Sequence, residues 1–138
     1  MEPSIYLFFN GNSLEAMTFY AETLGGEIVS VARNADAPNP ESRMPGNDDL
    51  VMNMAMRVGS VLFMASDTPG DYYQSPQGFS VALHVTSAQE ADRIYGILSN
   101  GALSVMMPLG ETFWADKYAM LTDKYGTPWM INFTGAKA

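Results

Sequence analysis

Histidine occurs once in this chain, as His84 in the stretch GFSVALHV at 78–85, and no other side chain has a clearer capacity for chemistry. An imidazole exchanges protons near neutral pH, ligates metals and makes hydrogen bonds to ligands. A lone histidine builds no triad, so catalysis by His84 needs an assisting group, and Glu111 or Asp116 in ETFWADKY (111–118) are the candidates. The alternative is a half-buried histidine at a strand end, bonded to a neighbour or to water. Phe113 and Trp114 in the same stretch form an aromatic pair that could stack a planar or cationic ligand, cover a sheet or meet a second subunit. Asn132, in PWMINF (128–133), could orient a ligand through its amide or be satisfied by backbone.

Other chemistries are excluded by what is missing. With no cysteine there are no disulfides, thiolate metal sites or cysteine nucleophiles. A formal charge of -8 with only seven Lys and Arg argues against nucleic acid, while it favours a cationic ligand. The opening MEPSIYLFF lacks a basic leader and the apolar stretches are too short to span a bilayer, so no membrane role and a cytoplasmic location are expected. No G-x-G-x-x-G or P-loop pattern is present, and no cofactor is predicted.

The elements that position these residues follow from a repeat. A shift of 75 lays NSLEAMTFYAETLGG (12–26) on SAQEADRIYGILSNG (87–101). Each segment reads as a helix opened by a capping box, Asn12 with Glu15 and Ser87 with Glu90, which explains both glutamates without chemistry. Ala16, Phe19 and Tyr20 form one apolar stripe, and Ala91, Ile94, Tyr95 and Leu98 the other. Gly26 and Gly101 stand at the helix stops. Strands are predicted at 4–9, 27–33, 50–58 and 60–65, and again at 79–85, 103–107, 117–123 and 128–133. Met52, Met54 and Met56 alternate as an adaptable apolar face, suited to a core or to a flexible pocket. Residues 34–49, rich in Pro, Asn and Asp, read as a loop, and 66–78, with Tyr72 and Tyr73, as a linker. At 138 residues, 47% hydrophobic and 16% charged, the chain forms one globular domain, with module one at about 1–67 and module two at about 78–138.

Paired βαβββ modules, with FY-type helices at 12–26 and 87–101, resemble the vicinal oxygen chelate superfamily of glyoxalases, dioxygenases and bleomycin resistance proteins. The runs IYLFFNGNSLEAMTFYAETLGGE (5–27) and ETFWADKYAMLTDKYGTPWMINF (111–133) resemble its PhnB-like branch, which often carries a methyltransferase label. The resemblance implies an α+β fold of two tandem βαβββ modules, with curved mixed sheets around a central cavity, and a homodimer. Without a glycine-rich cofactor turn, methyl transfer itself is not expected.

Enzymes of this superfamily hold a divalent metal with four side chains, from the first and last strand of each module. Carried onto this chain, those positions are Ile5, Phe63, Ser80 and Met130, the last counted four residues beyond Gly126 in TDKYGTPWM. None suits a hard or borderline dication, so no metal site is expected. His84 lies beyond the ligand position but should share a strand face with Ser80 and Ala82. The expectation is a metal-free small-molecule binding protein, its cavity lined by Phe63, Ser80, His84, Met130 and Asn132 with Trp114 at the rim. The alternative is an enzyme with a displaced site, metal-dependent or built on His84 as acid–base.

Overall fold

Period-two alternation and period-3.6 stripes settle into the same order twice. In the computed structural model, which describes residues 1–68 and 70–138, the chain divides into two units, Met1–Gln74 and Ser75–Ala138. The first holds β1 (Ile5–Phe9), α1 (Ser13–Leu24), β2 (Glu27–Arg33), β3 (Val51–Val58) and β4 (Val61–Asp67). The second holds β5 (Val81–His84), α2 (Ala88–Leu98), β6 (Ser104–Gly110), β7 (Lys117–Thr122) and β8 (Pro128–Phe133). The sheets run β1-β4-β3-β2 and β5-β8-β7-β6, with the first and last strand of each unit parallel and the other pairs antiparallel. The class is therefore α+β, with two tandem βαβββ modules. Among the described residues no helix is long and apolar enough to cross a membrane.

Each sheet packs one face on its own helix. In the first unit Leu7, Phe9, Phe63, Ala65, Met54 and Met56 are buried, and the rings of Phe9 and Tyr20 lie 6.3 Å apart. Met54 and Met56 are thus core filling rather than pocket lining. In the second unit Trp129, Ile131, Ala119 and Leu121 are buried with Ala91, Ile94 and Leu98 of α2. Burying the larger of these side chains, the Leu, Ile, Phe and Met, contributes roughly 1.5–3 kcal/mol each. Phe19 and Tyr95 are half-buried, at the margin of their stripes.

The helix starts differ from the sequence pattern. Ser87 caps α2 as expected, accepting the Glu90 amide at 3.1 Å. Asn12 makes no such bond, and its place is taken by Asp67, whose Oδ1 accepts the Ser13 amide at 2.9 Å. A buried carboxylate from the sheet is a stronger acceptor than a neutral amide, and it also complements the helix dipole. The stop of α1 is shared by two glycines. Gly25, with φ 69°, makes the left-handed turn assigned above to Gly26. Gly26 instead packs close, where a Cβ would lie 2.9 Å from the Arg57 carbonyl oxygen.

The 34–49 segment is organised around one buried side chain. Asn34 Nδ2 donates to the Met44 and Asn47 carbonyls at 2.9 and 3.1 Å, and Asn34 Oδ1 accepts the Met44 amide at 3.0 Å. Short 3-10 turns at Asn34–Asp36 and Pro40–Ser42 complete it.

Candidate functional site

The repeat holds for the helices but not for the strand faces. Ser13 opens α1 and Ala88 opens α2, a shift of 75. At that shift Leu7 and Phe9, which face α1, would match Ala82 and His84, which are exposed and face away from α2. An offset of one residue reverses every side chain of a strand, so residue counting misplaces part of the expected site. Ile5 and Phe63 are cross-strand partners, yet on the helix-covered face, and Phe63 is buried against the core. The pair on the other face is Tyr6 and Met64. The cause is the face on which each strand leaves its turn: Phe63 and Met130 are both the third residue of their strand, but β4 starts with Val61 on the helix-covered side and β8 with Pro128 on the open side. Four residues beyond glycine therefore reaches the core at Phe63 and the open face at Met130. Phe63 is corrected out of the candidate site for this reason.

Ser80 is displaced differently. β5 begins at Val81, so the alternation that should align Ser80 with Ala82 and His84 stops one residue short of it. Ser80 is half-buried before the strand.

The remaining candidates gather on the open face of the second sheet, in two rows. His84 of β5 is the ladder partner of Asn132 of β8, and Asn132 is the partner of Tyr118 of β7. With neighbouring strands about 4.8 Å apart, this polar row spans about 10 Å from His84 to Tyr118. Beside it runs a second row: Ala82 pairs with Met130, Met130 with Met120, and Met120 with Met107 of β6. Thioethers give that row an adaptable, polarisable surface. The face thus offers hydrogen bonding along one line and soft apolar contact along the next.

An aromatic stack closes the Tyr118 end. The Trp114 ring meets Tyr118 edge-on with centroids 5.2 Å apart, and Phe113 meets Trp114 edge-on at 4.8 Å. Trp114 is 42% exposed and Phe113 88%, so both present free ring surface. Thr112 Oγ1 holds the loop, accepting the Ala115 amide at 3.0 Å and the Trp114 amide at 3.3 Å.

The polar row keeps spare capacity. Asn132 Nδ2 donates to Thr134 Oγ1 at 3.0 Å, which fixes the amide, and among the described residues no donor bonds its oxygen. Among the described residues no protein group bonds either nitrogen of His84. The carboxylates named as assistants are engaged elsewhere. Asp116 Oδ2 accepts the Ala136 amide at 2.9 Å, and Glu111 lies 3.7 Å from Lys137 Nζ.

The donor set does not fit a divalent metal. The open-face partners of first and last strands are Tyr6 with Met64, Phe8 with Ser66, Ala82 with Met130, and His84 with Asn132. They supply one imidazole, one amide, one phenol, one serine hydroxyl and two thioethers, but no carboxylate. Among the described residues no group of three His, Asp or Glu side chains gathers to hold an ion.

Sequence reading missed Tyr118, Met120 and Met107. The alternation of KYAMLTD could have placed the first two beside Asn132 and Met130. Met107 depends on register shifts in β6 that sequence does not reveal.

Residues 2–132 match the 3-demethylubiquinone-9 3-methyltransferase family. Protein YjdN of Escherichia coli K12 is 32% identical, over 96% of this chain and 95% of its own. The crystal structure of PA1353 from Pseudomonas aeruginosa superposes with a TM-score of 0.84 at 38% identity, covering 96% of this chain and 97% of that one. A Bacillus cereus PhnB protein, described as a putative 3-demethylubiquinone-9 3-methyltransferase, gives 0.81 at 26% identity, over 96% and 99%.

Proposed function

Because the chain belongs to the 3-demethylubiquinone-9 3-methyltransferase family, the PhnB-like branch of the vicinal oxygen chelate superfamily, we propose that it binds a small organic ligand on the open face of its second sheet without a metal. The observation that carries this reading is the row of His84, Asn132 and Tyr118 beside the methionine row, ended by the exposed face of Trp114. Asn132 Oδ1 accepts a hydrogen bond from the ligand and His84 donates or accepts a second. Met130 and Met120 shape to its apolar part, and Trp114 stacks its ring or cationic group. The charge of -8 favours a cation.

Methyl transfer is not part of the proposal. The strand-to-helix turns read Asn10-Gly11-Asn12 and Val85-Thr86-Ser87, and neither is the glycine-rich cradle a nucleotide-type cofactor needs. The enzyme alternative has less support, since Asp116 is held by the C-terminal turn and, among the described residues, no carboxylate bonds the His84 ring. A homodimer is proposed as well: Leu103 just before β6 and Val105, Met106 and Met107 along it are exposed apolar side chains, which favour contact with a second copy. Sedimentation equilibrium checks it.

The test of ligand binding is a titration with planar organic cations, starting from 1-methylquinolinium, read by tryptophan emission and calorimetry. Trp129 is fully buried, so quenching reports Trp114. We expect saturable binding that weakens about tenfold in Trp114→Ala. Thermal scans with Ni²⁺, Zn²⁺, Mn²⁺ and Fe²⁺ run alongside, because an ion at a hundred times its Kd stabilises a fold by about 2.7 kcal/mol. Binding of the cations that ignores Trp114 and His84, or a stoichiometric metal, sinks the reading. Turnover of any ligand that His84→Ala abolishes moves the protein to the enzyme class.

A further inference from the structure

We propose that the first unit carries a pocket for a neutral, planar aromatic molecule, with ring faces from Phe8 and Tyr72 and a polar edge from Thr68 and Gln74. A cavity of about 230 Å³ opens there, lined among the described residues by those four side chains. An apolar cavity of about 150 Å³ holds benzene, so the space suits one or two fused rings. Both rings are open to water, Phe8 at 54% and Tyr72 at 78% exposure, so their faces are accessible to a ligand. Phe8 is backed by Tyr6, with centroids 5.0 Å apart, and the Tyr6 hydroxyl accepts Asn53 Nδ2 at 3.2 Å. This props the Phe8 ring from behind and leaves its other side to a ligand.

The opposite wall is tied to the same strand. The Thr68 amide donates to the Phe9 carbonyl at 2.8 Å, continuing the ladder of β1 and β4 beyond Asp67. The Tyr73 amide donates to the Gly70 carbonyl at 3.1 Å, closing the 3-10 turn Gly70–Tyr72 that presents Tyr72. Among the described residues no charged side chain lines the cavity, and a Thr hydroxyl with a Gln amide can both donate and accept. Such a lining selects a neutral ring bearing a hydroxyl or ring nitrogen. It differs from the second-sheet face, where the aromatic end and the acidity favour a cation. The two sites therefore take different chemical classes.

The experiment is a titration of the full chain with 2-naphthol, followed by amide chemical shifts, with trans-2-decalol as a control of similar size that lacks ring faces. Saturable shifts at Phe8, Thr68 and Gln74 with 2-naphthol, and none with decalol, are expected. Tyr72→Ala, at an exposed position that does not threaten folding, should raise the Kd about three- to tenfold. Gln74→Ala should weaken binding less, and Trp114→Ala not at all. Equal binding of decalol, shifts that do not saturate, or an unchanged Kd in Tyr72→Ala overturns the proposal. Failure of the cation titration above leaves this test untouched, since it reads another unit of the chain.

Discussion

Asp67 Oδ1 accepts the amide of Ser13 at 2.9 Å, so the last residue of β4 caps the first turn of α1 across a separation of 54 residues. Its Oδ2 accepts the amide of Val51 at 2.9 Å, where β3 begins. One buried carboxylate thus joins the ends of three elements of the first unit. Local capping rules, which look three residues ahead, see none of this.

Replacing Asp67 with Ala should destabilise the protein by about 3 kcal/mol or more, because hydrogen bonds to a charged acceptor contribute about 1.5–3 kcal/mol each and two amides lose theirs. Asn12→Ala, at the position where sequence alone puts the cap, should change stability by less than about 0.5 kcal/mol. Urea unfolding with the slope m held in view distinguishes the two. An equal cost for both variants would return the capping role to Asn12.

Asp123 plays a comparable part in the second unit. It is fully buried, its Oδ1 accepts the Tyr125 and Thr127 amides at 2.9 and 3.0 Å, and its Oδ2 accepts Trp129 Nε1 at 2.8 Å. Asp123→Asn keeps the shape but points amide hydrogens at one of those donors, with an expected cost of about 2–4 kcal/mol. Trp129 should then emit at longer wavelength as water reaches the indole. An unshifted emission in a Trp114→Phe background would show that the turn tolerates the exchange.

The fold was largely legible because hydrophobic period and turn residues are local signals. The helices at 12–26 and 87–101 and all eight strands stand where alternation put them, apart from end adjustments such as the late start of β5 at Val81. The site was legible only in part. His84, Met130 and Asn132 share the open face, whereas Phe63 is in the core, because β4 and β8 leave their turns on opposite faces and a count from glycine carries no such information. Tyr118 and Asp67 act through partners distant in sequence, and strand pairing alone brings those partners together.

His84→Ala should leave stability within about 0.5 kcal/mol of the parent, since the side chain is exposed and no described protein group bonds its ring. Any loss of ligand affinity in that variant then reports direct contact rather than a damaged sheet. Thermal unfolding of the free protein measures the first quantity and calorimetry the second. A marked loss of stability would assign His84 a structural bond and remove it from the site.

Gly135 links the C-terminus to the aromatic end of the same face. Its φ of 59° suits glycine, and a Cβ there would strike the Asp116 carboxylate and lie 2.9 Å from Phe133 Cε2. Asp116 in turn receives the Ala136 amide, and Lys137 lies near Glu111, so the turn Gly135–Lys137 is fastened to the loop that carries Trp114. Gly135→Ala should therefore push the turn off Asp116 and free the loop, at a cost of about 1–2 kcal/mol. Acrylamide quenching of Trp114 should rise in Gly135→Ala and in Asp116→Ala. It should stay unchanged in Lys137→Ala, because that ion pair is exposed and worth little. If quenching is flat in the first two variants, Thr112 alone positions the loop. A rise in both, together with weaker cation binding, makes the C-terminal turn part of what holds Trp114 ready for a ligand.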